Sequence, residues 1–209
     1  MERENHSVGQ KTPHWRRAWI AAALLCLAMP TGCSKHEATL PKLGSVAAFS
    51  FTDQNGRAFS SRSLVGAPWV GAFFFTRCPT VCPKITARVK SLQELGTREK
   101  LPFKLVSISI DPDNDTPEVL LAYAQRYGLD LARVTLLRGP GDEVQRLSEG
   151  TFKLAMSGRP DPNADHLGMM HSGHLVLVDA EGVLRGYYRS SDDVEMRRLE
   201  VDLRNLSRP

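Results

Sequence analysis

Trp69-Val70-Gly71-Ala72-Phe73-Phe74-Phe75-Thr76-Arg77-Cys78-Pro79-Thr80-Val81-Cys82-Pro83 is the stretch on which the reading of this chain turns. Trp69 to Phe75 is an unbroken apolar run of strand length, as expected of a strand buried on both faces. After Pro83, Ile85, Val89, Leu92 and Leu95 recur at helical spacing, which predicts an amphipathic helix starting at that proline. Two thiols therefore meet at a strand-to-helix junction. With three residues between them, the spacing puts both sulfurs on one helical face about a turn apart, close enough for a disulfide or for one shared metal ion. A helix amino terminus stabilises a thiolate, so at least one of Cys78 and Cys82 is expected to have a lowered pKa.

Outward from this junction the pattern continues as alternating strands and helices. Toward the amino terminus, Ala47 to Thr52 and Arg57 to Phe59 flank Asp53-Gln54-Asn55-Gly56, and Asn-Gly signals a hairpin. Toward the carboxyl terminus, Phe103 to Ile110 reads as a second buried strand. Asp111 to Glu118 reads as a turn into a helix running through Tyr127, with Thr116 or Asp115 as cap and Pro117 at the first helical position. Val134 to Leu137 is a third strand, Asp142 to Ser148 is helical, and Ser157 to Asp165 is a polar loop. Leu175 to Val178 and Val183 to Tyr188 form a hairpin around Asp179-Ala180-Glu181-Gly182, and Val194 to Leu206 is a closing helix. This order predicts an α/β thioredoxin-like sandwich with a central mixed sheet, an amino-terminal hairpin extension and inserted elements.

The amino terminus reads as an export signal. Lys11, Arg16 and Arg17 flank the apolar stretch Ala18 to Met29, which is too short to span a bilayer comfortably. Thr31-Gly32-Cys33 looks like the end of a bacterial lipoprotein box, although Pro30 stands where an aliphatic residue is usual. Cleavage before Cys33 would leave that cysteine as the lipidated first residue. The expected organisation is thus a signal over 1–33, a tether over 34–44 and one domain over 45–209. Export of this kind implies a protein of the bacterial cell envelope, held to a membrane by a lipid anchor with its domain facing the periplasm or the exterior.

Of the four cysteines, Cys26 falls in the signal and Cys33 at the lipid site, so Cys78 and Cys82 alone remain for the folded part. That count excludes a disulfide framework. The formal net charge is +4, but part of the excess lies in the leader and the body has no dense basic run, so nucleic-acid binding has no support. No internal repeat is present, and nothing in the sequence demands more than a monomer.

A third donor for the thiols is sought in Met169-Met170-His171-Ser172-Gly173-His174, directly before the late strand. His171 is the candidate. Two thiolates and an imidazole form a soft, three-coordinate set suited to Cu(I), and to Cu(II) if a further ligand or water joins. By residue type alone His171 equally suits a core or surface role. His174, three residues on, points to the opposite strand face and reads as structural. Met169 and Met170 suit packing, and Asp111 and Asp115 fit a turn and a cap better than a hard-cation site.

Phe74-Phe75-Thr76-Arg77-Cys78-Pro79-Thr80-Val81-Cys82-Pro83 is similar to the signature of the Sco/SenC copper-binding proteins. Two further blocks agree in order and spacing: Ser107-Ile108-Ser109-Ile110-Asp111-Pro112 with Asp115-Thr116-Pro117 behind it, and His171-Ser172 ahead of Leu177-Val178-Asp179 and Gly182. The resemblance covers about residues 40 to 206. It implies that Cys78, Cys82 and His171 are copper ligands. It also implies a metallochaperone, not an enzyme, whose partner is the copper-binding subunit of cytochrome c oxidase or another exported copper protein. The alternative is a thiol-disulfide oxidoreductase, with Cys78 and Cys82 as a redox-active pair that reduces cysteines of the oxidase copper site or of another exported protein.

Overall fold

The structure is a computed structural model and describes residues 40–155 and 173–208. The signal and Cys33, most of the tether, the loop over 157–165, and Met169, Met170 and His171 lie outside the described residues. The strands are β1 (Gly44–Ser45), β2 (Ser50–Asp53), β3 (Ala58–Ser60), β4 (Trp69–Phe74), β5 (Lys104–Ser109), β6 (Val134–Arg138), β7 (His174–Val178) and β8 (Val183–Arg189). The helices are α1 (Val81–Glu99), α2 (Pro117–Tyr127), α3 (Gly141–Gln145) and α4 (Asp193–Leu206). A 3-10 turn covers Ser61–Leu64, and a π-helical turn, Arg146–Thr151, follows α3.

The eight strands form one mixed sheet in the order β1-β8-β7-β4-β5-β6-β2-β3. β4, β5 and β6 are parallel neighbours, and α1 and α2 make the crossovers between them. β7 runs antiparallel to β4 on the other side, followed by β8 and β1. The β2–β3 hairpin closes the far edge against β6. Gly56 takes a φ of +74° in its turn, which a side chain would strain.

Strand periodicity sorts β4 into two faces. Phe74 turns toward the helices and lies 5.3 Å from the ring of Tyr123 on α2. Trp69 and Phe73 turn the other way and meet Phe152, at 6.2 Å and 5.8 Å, edge-on. Gly71 lies between these last two on the same face. A Cβ there would come within 2.9 Å of the Trp69 ring and of Val176, so the close approach requires glycine. The helices also brace one another: the hydroxyls of Thr86 and Tyr123 lie 2.7 Å apart, Arg88 pairs with Asp193, and Arg204 pairs with Glu99 at 2.8 Å.

Three local details differ from the sequence expectation. α1 begins at Val81, two residues before Pro83, because a proline within the first turn forfeits only an amide that has no helical partner anyway. The helical segment after β6 is a short α-helix followed by a π-helical turn, and the latter brings Phe152 onto the sheet. β1 was not expected at all: two residues have no periodicity to read, and pairing with β8 alone makes them a strand. The cap of α2 is Thr116, whose hydroxyl accepts from the Val119 amide.

Candidate metal centre

β4 ends at Phe74, and the chain from Phe75 to Thr80 climbs out of the sheet and turns into α1. Its cysteines occupy the carboxyl ends of the parallel strands, where open α/β sheets place their sites. Cys78 precedes the helix, while Cys82 is its second residue. The single-helical-face picture drawn from spacing is therefore replaced by a tighter one, in which the loop curls back over the first turn. The Cys82 amide donates to Cys78 Sγ at 3.5 Å, and the Phe75 amide donates to Cys82 Sγ at 3.4 Å. Thr80 caps the helix without a side-chain hydrogen bond. The sulfur of Cys78 takes over part of that duty.

These contacts divide the two thiols electrostatically. Burial pushes Cys78 up, but the backbone amides of Cys82, Thr80 and Val81 and the Cys82 side chain outweigh it, so its pKa lies below that of an ordinary thiol. Cys82 is fully buried, and burial drives its pKa well above the ordinary value. The Phe75 amide opposes this rise, while the nearby Cys78 and the Asp115 carboxylate add to it. The lowered thiol expected from helix placement is thus Cys78, the half-buried one.

Asp111 and Asp115 do more than form a turn. Both are fully buried and reach from the β5–α2 loop to the cysteine loop. Asp115 accepts from the Thr76 amide at 3.1 Å, from the hydroxyls of Thr76 and Ser109, and from Asn114 at 3.0 Å. Arg77 donates to one oxygen of Asp111 through Nε and Nη2, at 3.1 Å and 2.7 Å. The other oxygen of Asp111 has no hydrogen-bond partner among the described residues. Two parallel β–α loops are thereby tied together just ahead of Cys78. Ser109, a hydroxyl at the buried end of an apolar strand, was the available signal that a polar partner waits there.

Among the described residues no three His, Cys, Asp or Glu side chains gather into a metal-holding group, so this part of the chain supplies two sulfur donors. The late strand nevertheless re-enters beside them. A Cβ on Gly173 would lie 3.4 Å from Val81 at the start of α1, and the Gly173 carbonyl accepts from the Ser190 amide at 2.9 Å. His174 opens β7, half-buried and opposite Arg189. No described helix is long and apolar enough to cross a membrane.

A family model, SCO1/SenC, matches residues 38–204. A SCO1 protein homolog of Bacillus subtilis is 31% identical over 189 residues, covering 90% of this chain and 95% of that protein. The crystal structure of a SCO1/SenC family lipoprotein from Bacillus anthracis superposes with a TM-score of 0.70 at 31% identity, over 78% of this chain and 95% of the other. BsSco, described as a member of the Sco family of cytochrome c oxidase assembly proteins with a disulfide switch, gives 0.69 at 29% identity, over 78% and 93%. More distant solved structures, under 25% identical, share the fold, and some of them hold copper. Matched along almost the whole of its described length, the chain belongs to the SCO1/SenC family.

Proposed function

We propose that this chain is a membrane-tethered copper carrier of the cell envelope. Cys78, Cys82 and His171 would hold one copper ion and pass it to the copper centre of cytochrome c oxidase or to another exported copper protein. Family membership supports the cargo and the oxidase, since Sco proteins are copper-binding proteins of cytochrome c oxidase assembly. The observation that carries the ligand set is the packing of Gly173 against Val81, one residue from Cys82. His171 is two residues upstream of Gly173, within about 7 Å of extended chain. Two sulfurs and an imidazole at one helix start would make a soft site for Cu(I). Lipidation at Cys33, after cleavage before that residue, would hold the domain to its membrane through the tether over 34–44; a lipoprotein relative supports that anchor.

In this reading transfer proceeds by ligand exchange. Cys78 is the sulfur a recipient meets first, and buried Cys82 the one it displaces later. Loading releases thiol protons, so affinity rises with pH. The divided thiols also favour a second reading, disulfide exchange, in which Cys78 attacks and Cys82 resolves. Anaerobic titration of the reduced protein with Cu(I) against a competing chelator separates the two, using Cys78→Ser, Cys82→Ser and His171→Ala. One tight equivalent lost in all three variants is expected. Copper affinity unchanged in His171→Ala, alongside rapid reduction of protein disulfides, would transfer the function to exchange chemistry.

A further inference from the structure

The register defines a second pole, opposite the cysteines. β4, β5 and β6 run toward the cysteine loop, so Trp69, Lys104 and Val134 start at the other end of the sheet. β1 pairs Gly44 with Leu184 and Ser45 with Val183, the first residues of β8, so the polypeptide enters the domain at that same far end. Arg185 straps it there by donating to the carbonyls of Pro41 and Leu40. The carboxyl ends of α1 and α2 also point that way, because each crossover helix runs against its strands.

This far end is basic and carries exposed apolar side chains. Lys42, Arg62, Lys100 and Lys104 are exposed, with Val65 66% and Leu43 47% exposed among them. Lys104 donates to the Ser63 carbonyl, which keeps its charge beside the Arg62–Val65 segment. The acidic groups of this end are Asp179, paired with Arg185, Glu99 and Glu200, both paired with Arg204, and the exposed Asp130 and Glu181. The cysteine end is the more acidic, exposing Asp113, Glu118, Asp142, Glu143 and Asp193 against Lys84, Arg146 and Arg189. Charges that complement helix dipoles explain Arg98, Arg126 and Arg204 in last turns and Glu118 in a first turn. They do not explain Lys42, Arg62 and Lys104, which lie ahead of β1, on a 3-10 turn and at a strand start.

We propose that this end is a membrane-resting surface, which lies on anionic lipid headgroups and holds the cysteine end away from the bilayer. It rests on the membrane-tethered reading above. The six residues of β4 put the cysteine loop about 20 Å beyond the end at which the chain enters. Each lysine or arginine near an anionic surface strengthens attachment roughly fivefold, and Val65 and Leu43 are placed to dip into the headgroup layer.

The test uses the full-length protein with two kinds of vesicle, phosphatidylglycerol-containing and pure phosphatidylcholine, read by hydrogen exchange and by maleimide labelling of Cys78. Exchange over 42–46 and 61–66 is expected to slow at least about threefold on the anionic vesicles alone, with Cys78 labelling unchanged. Arg62→Glu combined with Lys104→Glu should abolish the difference; if that pair lowers the thermal midpoint, Lys42→Glu with Arg62→Gln takes its place. Sedimentation with both vesicles and equal exchange on both overturns the surface while leaving the tether standing. Protection at 76–82 overturns it in favour of the opposite pole. A full chain that sediments with neither vesicle overturns the tether and the surface together, whereas the copper titration stays independent of all three outcomes.

Discussion

Removing the carboxylate of Asp115 should unsettle the cysteine loop more than any other single change beside it. Asp115→Ala withdraws the acceptor from four hydrogen bonds: those from the Thr76 backbone amide, the Thr76 hydroxyl, the Ser109 hydroxyl and the Asn114 side-chain amide. Asn114 is half-buried and has a second acceptor in Thr76 Oγ1, whereas Ser109 is fully buried and has no water to turn to. Leaving Ser109 and the Thr76 amide unsatisfied costs about 1–3 kcal/mol each. Against this stands the relief of a buried charge, worth several kcal/mol in isolation but already compensated here by its donors. A net loss of about 2–4 kcal/mol follows, or roughly 4–16 °C in Tm for a domain of this size. Asp115→Asn keeps the shape and one acceptor oxygen, so it should lose about half as much. Urea unfolding of the reduced protein measures both, and maleimide labelling of Cys78 reports the loop directly. Equal midpoints for Asp115→Ala and the wild type, within about 0.5 kcal/mol, with unchanged labelling, would show that the two loops are not held by this carboxylate.

Cys78 should alkylate well before Cys82 under native conditions, its rate rising with pH from below the ordinary thiol range, since its pKa is lowered and that of Cys82 is raised by burial; mass spectrometry of peptides after iodoacetamide pulses at several pH values reads the order, and equal rates would sink the assignment. Asp53 is pushed up by burial, yet the amides of Arg57 and Asn55 and the Arg57 guanidinium bring its pKa down overall. A depressed folded-state pKa contributes stability that is present above the unfolded value and lost as pH falls through the folded one. The stability gap between wild type and Asp53→Asn is therefore expected to be full near pH 6 and to close toward pH 2, and a gap independent of pH in urea titrations would contradict it. Gly71→Ala should cost about 1–3 kcal/mol in thermal unfolding, because its Cβ would press to 2.9 Å on both Trp69 and Val176 within a packed face; an unchanged midpoint would mean that the Trp69 ring yields freely.

Much of the architecture was legible before any coordinates. Apolar runs of strand length, the helical recurrence of Ile85, Val89, Leu92 and Leu95, and the Asn55-Gly56 turn each encode local structure, because burial period and turn chemistry act over a few residues. The three motif blocks pointed to the family for a similar reason: each is a short stretch whose residues serve one loop. The thiol pair at a strand-to-helix junction, and the lowering of one thiol, also followed from position along the chain. His171 entered as a candidate by residue type and motif, and its place is tested by the titration and not by the described residues.

What lay beyond that reach depends on residues far apart in sequence. β1 exists because β8 offers it an edge, and the β2–β3 hairpin lies beyond β6 because only the assembled sheet has that edge free. Which thiol is raised depends on the burial of Cys82 and on the charge of Asp115, 33 residues away from it in the chain (115 minus 82). Asp111 and Asp115 looked like turn residues since their partners, Arg77 and Thr76, come from another β–α loop. The basic far end is likewise invisible along the chain. Lys42, Arg62, Lys100 and Lys104 are scattered in sequence, and the parallel register of β4 and β5, with β1 on the first residues of β8, gathers them at one pole. Local patterns settle which residues are buried and how each segment is shaped, whereas electrostatics and hydrogen bonding act through space and are decided by which segments the fold makes neighbours.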